Sequence, residues 1–462
     1  MTYTYFRKKS LFSVLSVLLV GALTACSSGI PNASPDPSDA FALAWASYPE
    51  MAPYPDESAF TDSSTGEIKD EFFDAYDAWQ EDRQARRNQA GLYQDEFKGF
   101  LEKSIPQFLS GPEKENRIYS PLSVYLALGM LAELTGGNSR QQILDLLGTD
   151  SIQKLRSQAS ALWNANYCND GATTSILASS LWLNEDVSFA PSAMKQLTGT
   201  YYASSYQGTM GSEEFNKALQ NWLSEQTGGL LKDQASGVNL DADTILALAT
   251  TVYFRAKWSG EFMEGNTSPD VFHASEKNIT CDFMHQTDSQ EYYWGDKFSA
   301  TAKQFEGGGS MWLILPDEGI TADELLKDEE TMAFLLSNGD WENSKHLTVN
   351  LSVPKFDAAS NLNLISSLQK LGITDVFDGN VSDFSPMTKD TDGIFVSRAE
   401  HAARVMIDEE GCTAAAYTVM AVCGASMPPE EEVDFVVNRP FLFAITGNDG
   451  LPLFAGVVEL PA

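Results

Sequence analysis

The sequence predicts an α+β domain in which helices pack on predominantly antiparallel β-sheets. Three observations carry that prediction. Helix-like periodicity dominates the early part of the globular region, strand-like apolar runs dominate the later part, and no internal repeat is apparent. With 462 residues and 43% hydrophobic content, the chain is long enough to bury a large core.

Along the chain, residues 1–26 read as an export signal. Arg7, Lys8 and Lys9 form a positive start, Leu11 to Ala22 is a short apolar run, and "LTAC" closes it at Cys26. The run is shorter than the roughly 20 apolar residues that cross a bilayer. "LTAC" resembles the lipobox of bacterial lipoproteins, which makes Cys26 the expected lipid attachment point; the alternative is a plain secretory signal cleaved near Ala25. Residues 27–65 are rich in Pro, Ser and Asp and predict a flexible tether. Residues 66–90 predict an additional amphipathic helix, with Phe72, Phe73, Tyr76 and Trp79 at near-helical spacing and no proline.

The globular domain spans 91–462. "YSPLSVYLALGMLAELTGGNSRQQILDLLG" predicts an apolar helix, a Gly-Gly turn and a second helix. "FNKALQNWLSEQTGG" places Phe215, Leu219, Trp222 and Leu223 on one face and stops at Gly228. Strands are predicted at "SILASSLWLN", "TILALATTVYFRAKW", "GGSMWLILP", "HLTVNLSVPKF" and "PFLFAITG".

Charge and motif content narrow the function. Removing residues 1–26 takes away three basic residues and no acidic ones, moving the formal net charge from −34 to −37. Nucleic acid is excluded as a partner, because phosphate binding needs clustered Lys and Arg. Only four histidines are present, none in an H-E-x-x-H pair, and no G-x-S-x-G or phosphate-loop motif occurs. Cys168, Cys281, Cys412 and Cys423 show no C-x-x-C spacing. The chain is expected to need no metal or other cofactor and not to be an enzyme.

The informative stretch is "DEEGCTAAAYTVMAVCGASMPPEEE", Asp408 to Glu432. Ala414 to Ala416 suit a helix, while Tyr417, Val419 and Val422 favour a strand. The small side chains of Thr413, Ala414, Ala415 and Ala416 suit a segment that is mobile in one state and a strand in another. Gly411 supplies a pivot, and Pro428 and Pro429 cannot donate to a central ladder.

Over about four fifths of the chain the sequence resembles the serpin family. "NRIYSPLSVYLALGMLAELTGGNSRQQIL", "VYFRAKWSGEF", "FMHQT", "VPKF", "LQKLGITDVF", "SDFSPM" and "NRPFLFAI" are similar to family motifs and occur in family order. The resemblance implies a serpin-like fold with an exposed reactive-centre loop at about 409–432. It implies a hinge at Glu409, Glu410, Gly411, Cys412, Thr413, Ala414, Ala415 and Ala416, from which a cleaved loop inserts as a strand into the main sheet. It further implies that Ser120, Ser123, Thr250, His401 and Trp258 govern the opening of that sheet. Three positions depart from the family pattern: Cys412 replaces the hinge threonine, Tyr417 replaces an alanine, and Thr250 replaces an asparagine.

Counting from Gly411 by the family's loop length puts the reactive bond near Ala425-Ser426. No Arg or Lys lies between Arg404 and Arg439, which disfavours trypsin-like targets. The expected partner is an elastase-like or subtilisin-like serine protease, trapped by a monomeric envelope lipoprotein held to a membrane through Cys26. A non-inhibitory serpin acting as a binding module, or an inhibitor of cysteine proteases, is the alternative.

Overall fold

The computed structural model describes residues 37–111, 115–412, 429 and 431–461. Cys26, the loop residues Thr413, Ala414, Ala415 and Ala416, and the reactive-bond residues Ala425 and Ser426 lie outside the described residues.

Two sheets organise the fold. In the first, the hydrogen-bonded order is β1 (Ala42–Ala44), β5 (Ala203–Gly208), β4 (Thr173–Asn184), β6 (Leu246–Lys257), β14 (Gly411–Cys412), β13 (Glu400–Ile407) and β12 (Phe356–Asn363), with β3 (Cys168–Asn169) beside β4. In the second it is β15 (Glu432–Val436), β11 (Ser344–Pro354), β8 (Asn278–Trp294), β9 (Phe298–Gln304), β10 (Ser310–Pro316), β16 (Phe441–Thr446), β17 (Pro452–Val458) and β2 (Arg117–Tyr119), with β7 (Thr267–His273) beside β8. Among the described residues only the β4–β5 and β11–β15 pairs run parallel. The expected α+β class with predominantly antiparallel sheets is therefore observed.

Twelve helices lie among the described residues. Ahead of β6 in the chain they are α1 (Glu57–Phe60), α2 (Asp70–Ala90), α3 (Gln94–Leu109), α4 (Pro121–Leu134), α5 (Gly137–Leu146), α6 (Ile152–Asn166), α7 (Pro191–Thr200), α8 (Glu213–Gln226) and α9 (Lys232–Ala235). The later ones are α10 (Ala322–Leu326), α11 (Glu329–Ser337) and α12 (Ile365–Lys370). α4 starts where Pro121 occupies the first turn, a position whose N–H would be unsatisfied in any case. It is apolar nearly all round because it runs through the core.

Alternation along β4 separates two cores. Leu177 and Leu181 point into the main cluster with α4 and the second sheet. Ala178 and Trp182 point the other way, onto Phe215, Leu219 and Trp222 of α8. α8 ends at Gly228, whose φ of +58° suits glycine and whose missing Cβ leaves room for the Tyr253 ring.

The tether expected over residues 27–65 is corrected from Pro37 onward. β1 pairs with β5, Phe41 packs edge-on against Phe215, and Tyr48 stacks on Trp163 and Tyr167. The physical reason is that two aromatics, Phe41 and Tyr48, supply packing that a count of Pro, Ser and Asp overlooks.

Candidate functional site

The hinge begins with a tight turn. The Asp408 N–H donates to the Gly411 carbonyl at 3.0 Å, while Asp408 Oδ1 accepts from the N–H groups of Glu410 (3.0 Å) and Gly411 (3.1 Å). Gly411 and Cys412 then enter the first sheet as β14, pairing with Lys257 and Ala256 of β6 on one side and with Ile407 of β13 on the other. A Cβ on Gly411 would collide with the Ala256 carbonyl oxygen, so glycine is required by close approach rather than by a positive φ.

Trp258 belongs to this hinge. Its N–H donates to the Glu410 carbonyl at 3.0 Å, its indole N–H to the Asp408 carbonyl at 2.9 Å, and its ring stacks on Phe305 at 5.0 Å. It stands eight residues beyond Thr250 of β6, about 25 Å away in an extended chain. The sequence reading grouped Trp258 with the sheet-gating residues, and the structure separates it from them.

A charged pair missing from the sequence reading fixes Glu409. Its carboxylate accepts from Lys355 Nζ at 2.7 Å and from Thr267 Oγ1 at 2.8 Å. Burial alone would raise the Glu409 carboxyl, but these hydrogen bonds outweigh it and hold it below the usual range. The same bond from Glu409 raises Lys355. Lys355 lies in the quoted "VPKF" stretch, yet only the fold brings it beside residue 409.

Below β14, no described ladder joins β6 to β13. The two strands are the lips of a cleft of about 560 Å³, with α4 on one face and the segment after α8 on the other. Among the described residues each lip carries a row of backbone groups that no strand pairs on the cleft side, which suits an extended peptide.

The first turn of α4 holds both lips. The Ser120 backbone N–H donates to His401 Nε2 on β13 at 2.9 Å. Ser123 Oγ and Thr250 Oγ1 on β6 lie 2.9 Å apart, and Thr250 Oγ1 donates to the Ser123 carbonyl at 3.2 Å. Ser120 acts through its backbone, for its buried hydroxyl finds no hydrogen-bond partner among the described residues. Because His401 Nε2 accepts, the ring is neutral, and burial lowers its pKa to about 4. The structure thus brings Ser120, Ser123, Thr250 and His401 together at one place, and Glu409, Glu410, Gly411, Cys412 and Trp258 at another.

A hinge already laddered at the top of an otherwise open sheet coincides with a family match. A model of the family described as "Serpin (serine protease inhibitor)" matches residues 103–461. The chain is a serpin. Among relatives, Leukocyte elastase inhibitor of Sus scrofa is 31% identical over 358 residues, covering 75% of this chain and 93% of its own. Serpin-ZX of Arabidopsis thaliana is 29% identical over 367 residues, covering 76% and 93%. Among solved structures, the native state of the thermophilic serpin tengpin superposes with a TM-score of 0.71 at 25% identity, covering 80% of this chain and 94% of that one. Thyroxine-binding globulin, at 20% identity and a TM-score of 0.69, shares the fold. As a serpin, the chain falls among protease inhibitors rather than catalysts.

Proposed function

We propose that this serpin is a suicide-type inhibitor of an elastase-like or subtilisin-like serine protease. The target's serine attacks the Ala425 carbonyl, the peptide bond to Ser426 breaks, and the new amine leaves with a proton. The freed loop then enters the cleft between β6 and β13 before water can hydrolyse the ester. The observation that carries this reading is the two-residue β14, which occupies the top of the cleft between β6 and β13, while no other described strand joins those two. Filling ten or more positions adds ladder hydrogen bonds worth about 1 kcal/mol each, plus buried side chains.

Target choice is supported by the small residues around Ala425 and by the resemblance to Leukocyte elastase inhibitor. A basic protease would also be steered toward this acidic chain, an effect that weakens with salt. The same reading attaches lipid to Cys26 and places the inhibitor on an envelope membrane. Cys26→Ala is expected to move the protein from the membrane to the soluble fraction.

The test mixes residues 27–462 with an elastase-like protease and runs a denaturing gel. A band at the summed mass, lost in Ala414→Arg, is expected. Clean loop cleavage with active protease, and no gain in heat stability of the cleaved product, would overturn insertion and favour a binding module.

A further inference from the structure

The family match begins at residue 103, so the segment from Pro37 to Ala90 is an addition to the serpin body. It grips the first sheet at two places and reaches the second sheet at a third. At one end, β1 extends the first sheet beyond β5, and the Ala46 N–H donates to Ser204 Oγ at 3.0 Å. At the other, α2 packs along α6 and reaches the turn that starts β4. There the Trp79 indole N–H donates to Asp170 Oδ2 at 2.8 Å, and Arg83 lies over the Trp79 ring and 3.7 Å from the same carboxylate. The Tyr54 N–H donates to the Asp170 carbonyl at 2.8 Å.

Asp170 is a buried node, its side chain 1% exposed. Its Oδ1 also accepts from the N–H groups of Ala172 (3.1 Å) and Thr173 (2.9 Å). Thr173 is paired with Ala256, and Ala256 with Cys412. One row of the first sheet therefore runs from the hinge to the residue that Asp170 holds. From the same helix, Arg83 and Asn448 exchange two hydrogen bonds of 3.3 Å, and just beyond it Gln94 donates to the Asp449 carbonyl at 3.0 Å. Asn448 and Asp449 form the β16–β17 turn of the second sheet.

We propose that residues 37–90 are a clamp that ties the hinge end of the first sheet to the second sheet and so prolongs the uninserted state. The proposal rests on loop insertion being the working motion of this serpin. For a strand to enter between β6 and β13, the half made of β1, β5, β4 and β6 must shift away from β13. α2 joins that half, through Asp170, to a turn of the sheet that stays in place. Opening therefore strains or breaks the Trp79 and Arg83 contacts, and their loss lowers the barrier to opening.

The test uses the full exported chain with Trp79→Ala and Arg83→Ala combined, and Phe73→Ala as control, because Phe73 sits on the same helix but is 54% exposed. Uncleaved protein is held at 37 °C, and the appearance of a heat-resistant form is followed together with amide exchange at residues 173–175 and 254–256. The double variant is expected to convert about tenfold faster or more, equivalent to about 1.4 kcal/mol of barrier, with faster exchange at those amides. The control should behave as the unmodified protein. If the double variant does not fold, Trp79→Phe, which removes only the indole donor, carries the same prediction at smaller size. Equal conversion rates, in a protein whose loop cleavage does confer heat resistance, would overturn the clamp alone. A cleaved loop that confers no heat resistance would overturn insertion and the clamp with it.

Discussion

The two sheets are built from similar strands and finished differently. In the second sheet, β10, β16 and β17 are buried along their whole length and joined by continuous ladders. In the first, β6 is half-buried along most of its length and shares only two residues of ladder with the hinge strand. Apolar, β-branched content alone does not make a closed sheet; the neighbour that completes the ladder does. The second sheet is a continuous base, and in the first only the two residues of β14 join β6 to β13 among the described residues.

Core truncation should show that contrast most strongly. Phe443→Ala removes a fully buried ring from β16, and denaturant unfolding is expected to report a loss of about 3–5 kcal/mol. Leu248→Ala on the lip of the cleft should cost about 1 kcal/mol or less, since its side chain is only half-buried already. Equal costs would remove the distinction between a base and an open half.

Acid should act on the open half through His401. Its folded pKa of about 4 lies below the usual value near 6.5, so the unfolded chain binds the proton more readily. Stability is then complete above about pH 6.5 and is lost as pH falls toward 4, by up to about 3 kcal/mol. Protonation also sets an N–H against the Ser120 N–H. Thermal midpoints measured from pH 7 to 4 should fall more steeply for the natural chain than for His401→Gln.

At the hinge, Glu409→Lys sets two cations side by side and is expected to cost about 1–2 kcal/mol, a value reduced by the partial exposure of Lys355. The reversed pair, Glu409→Lys with Lys355→Glu, should recover most of it, read as the melting midpoint of uncleaved protein. Gly411→Val sets a Cβ against the Ala256 carbonyl in the uncleaved protein and is expected to lower that midpoint as well, by about 1 kcal/mol.

Much of this arrangement was legible in the chain. The helix of Pro121–Leu134 and the strands around "GGSMWLILP" and "PFLFAITG" announce themselves by periodicity and apolar runs. Other features were not legible. Trp258 follows directly on the strand that carries Thr250, so a linear reading assigns them one role, whereas an extended chain sets them about 25 Å apart. The Pro- and Asp-rich stretch after residue 37 hides aromatics whose partners, Phe215 and Trp163, lie more than a hundred residues away.

By itself the sequence determined the α+β class and the acidic net charge, because those follow from local propensity and composition. Only the tertiary structure decided that β6 and β13 stand apart, that Lys355 meets Glu409, and that α2 spans two sheets. Those outcomes depend on which strand finds which partner, and pairing between residues distant in the chain leaves no mark on either segment alone.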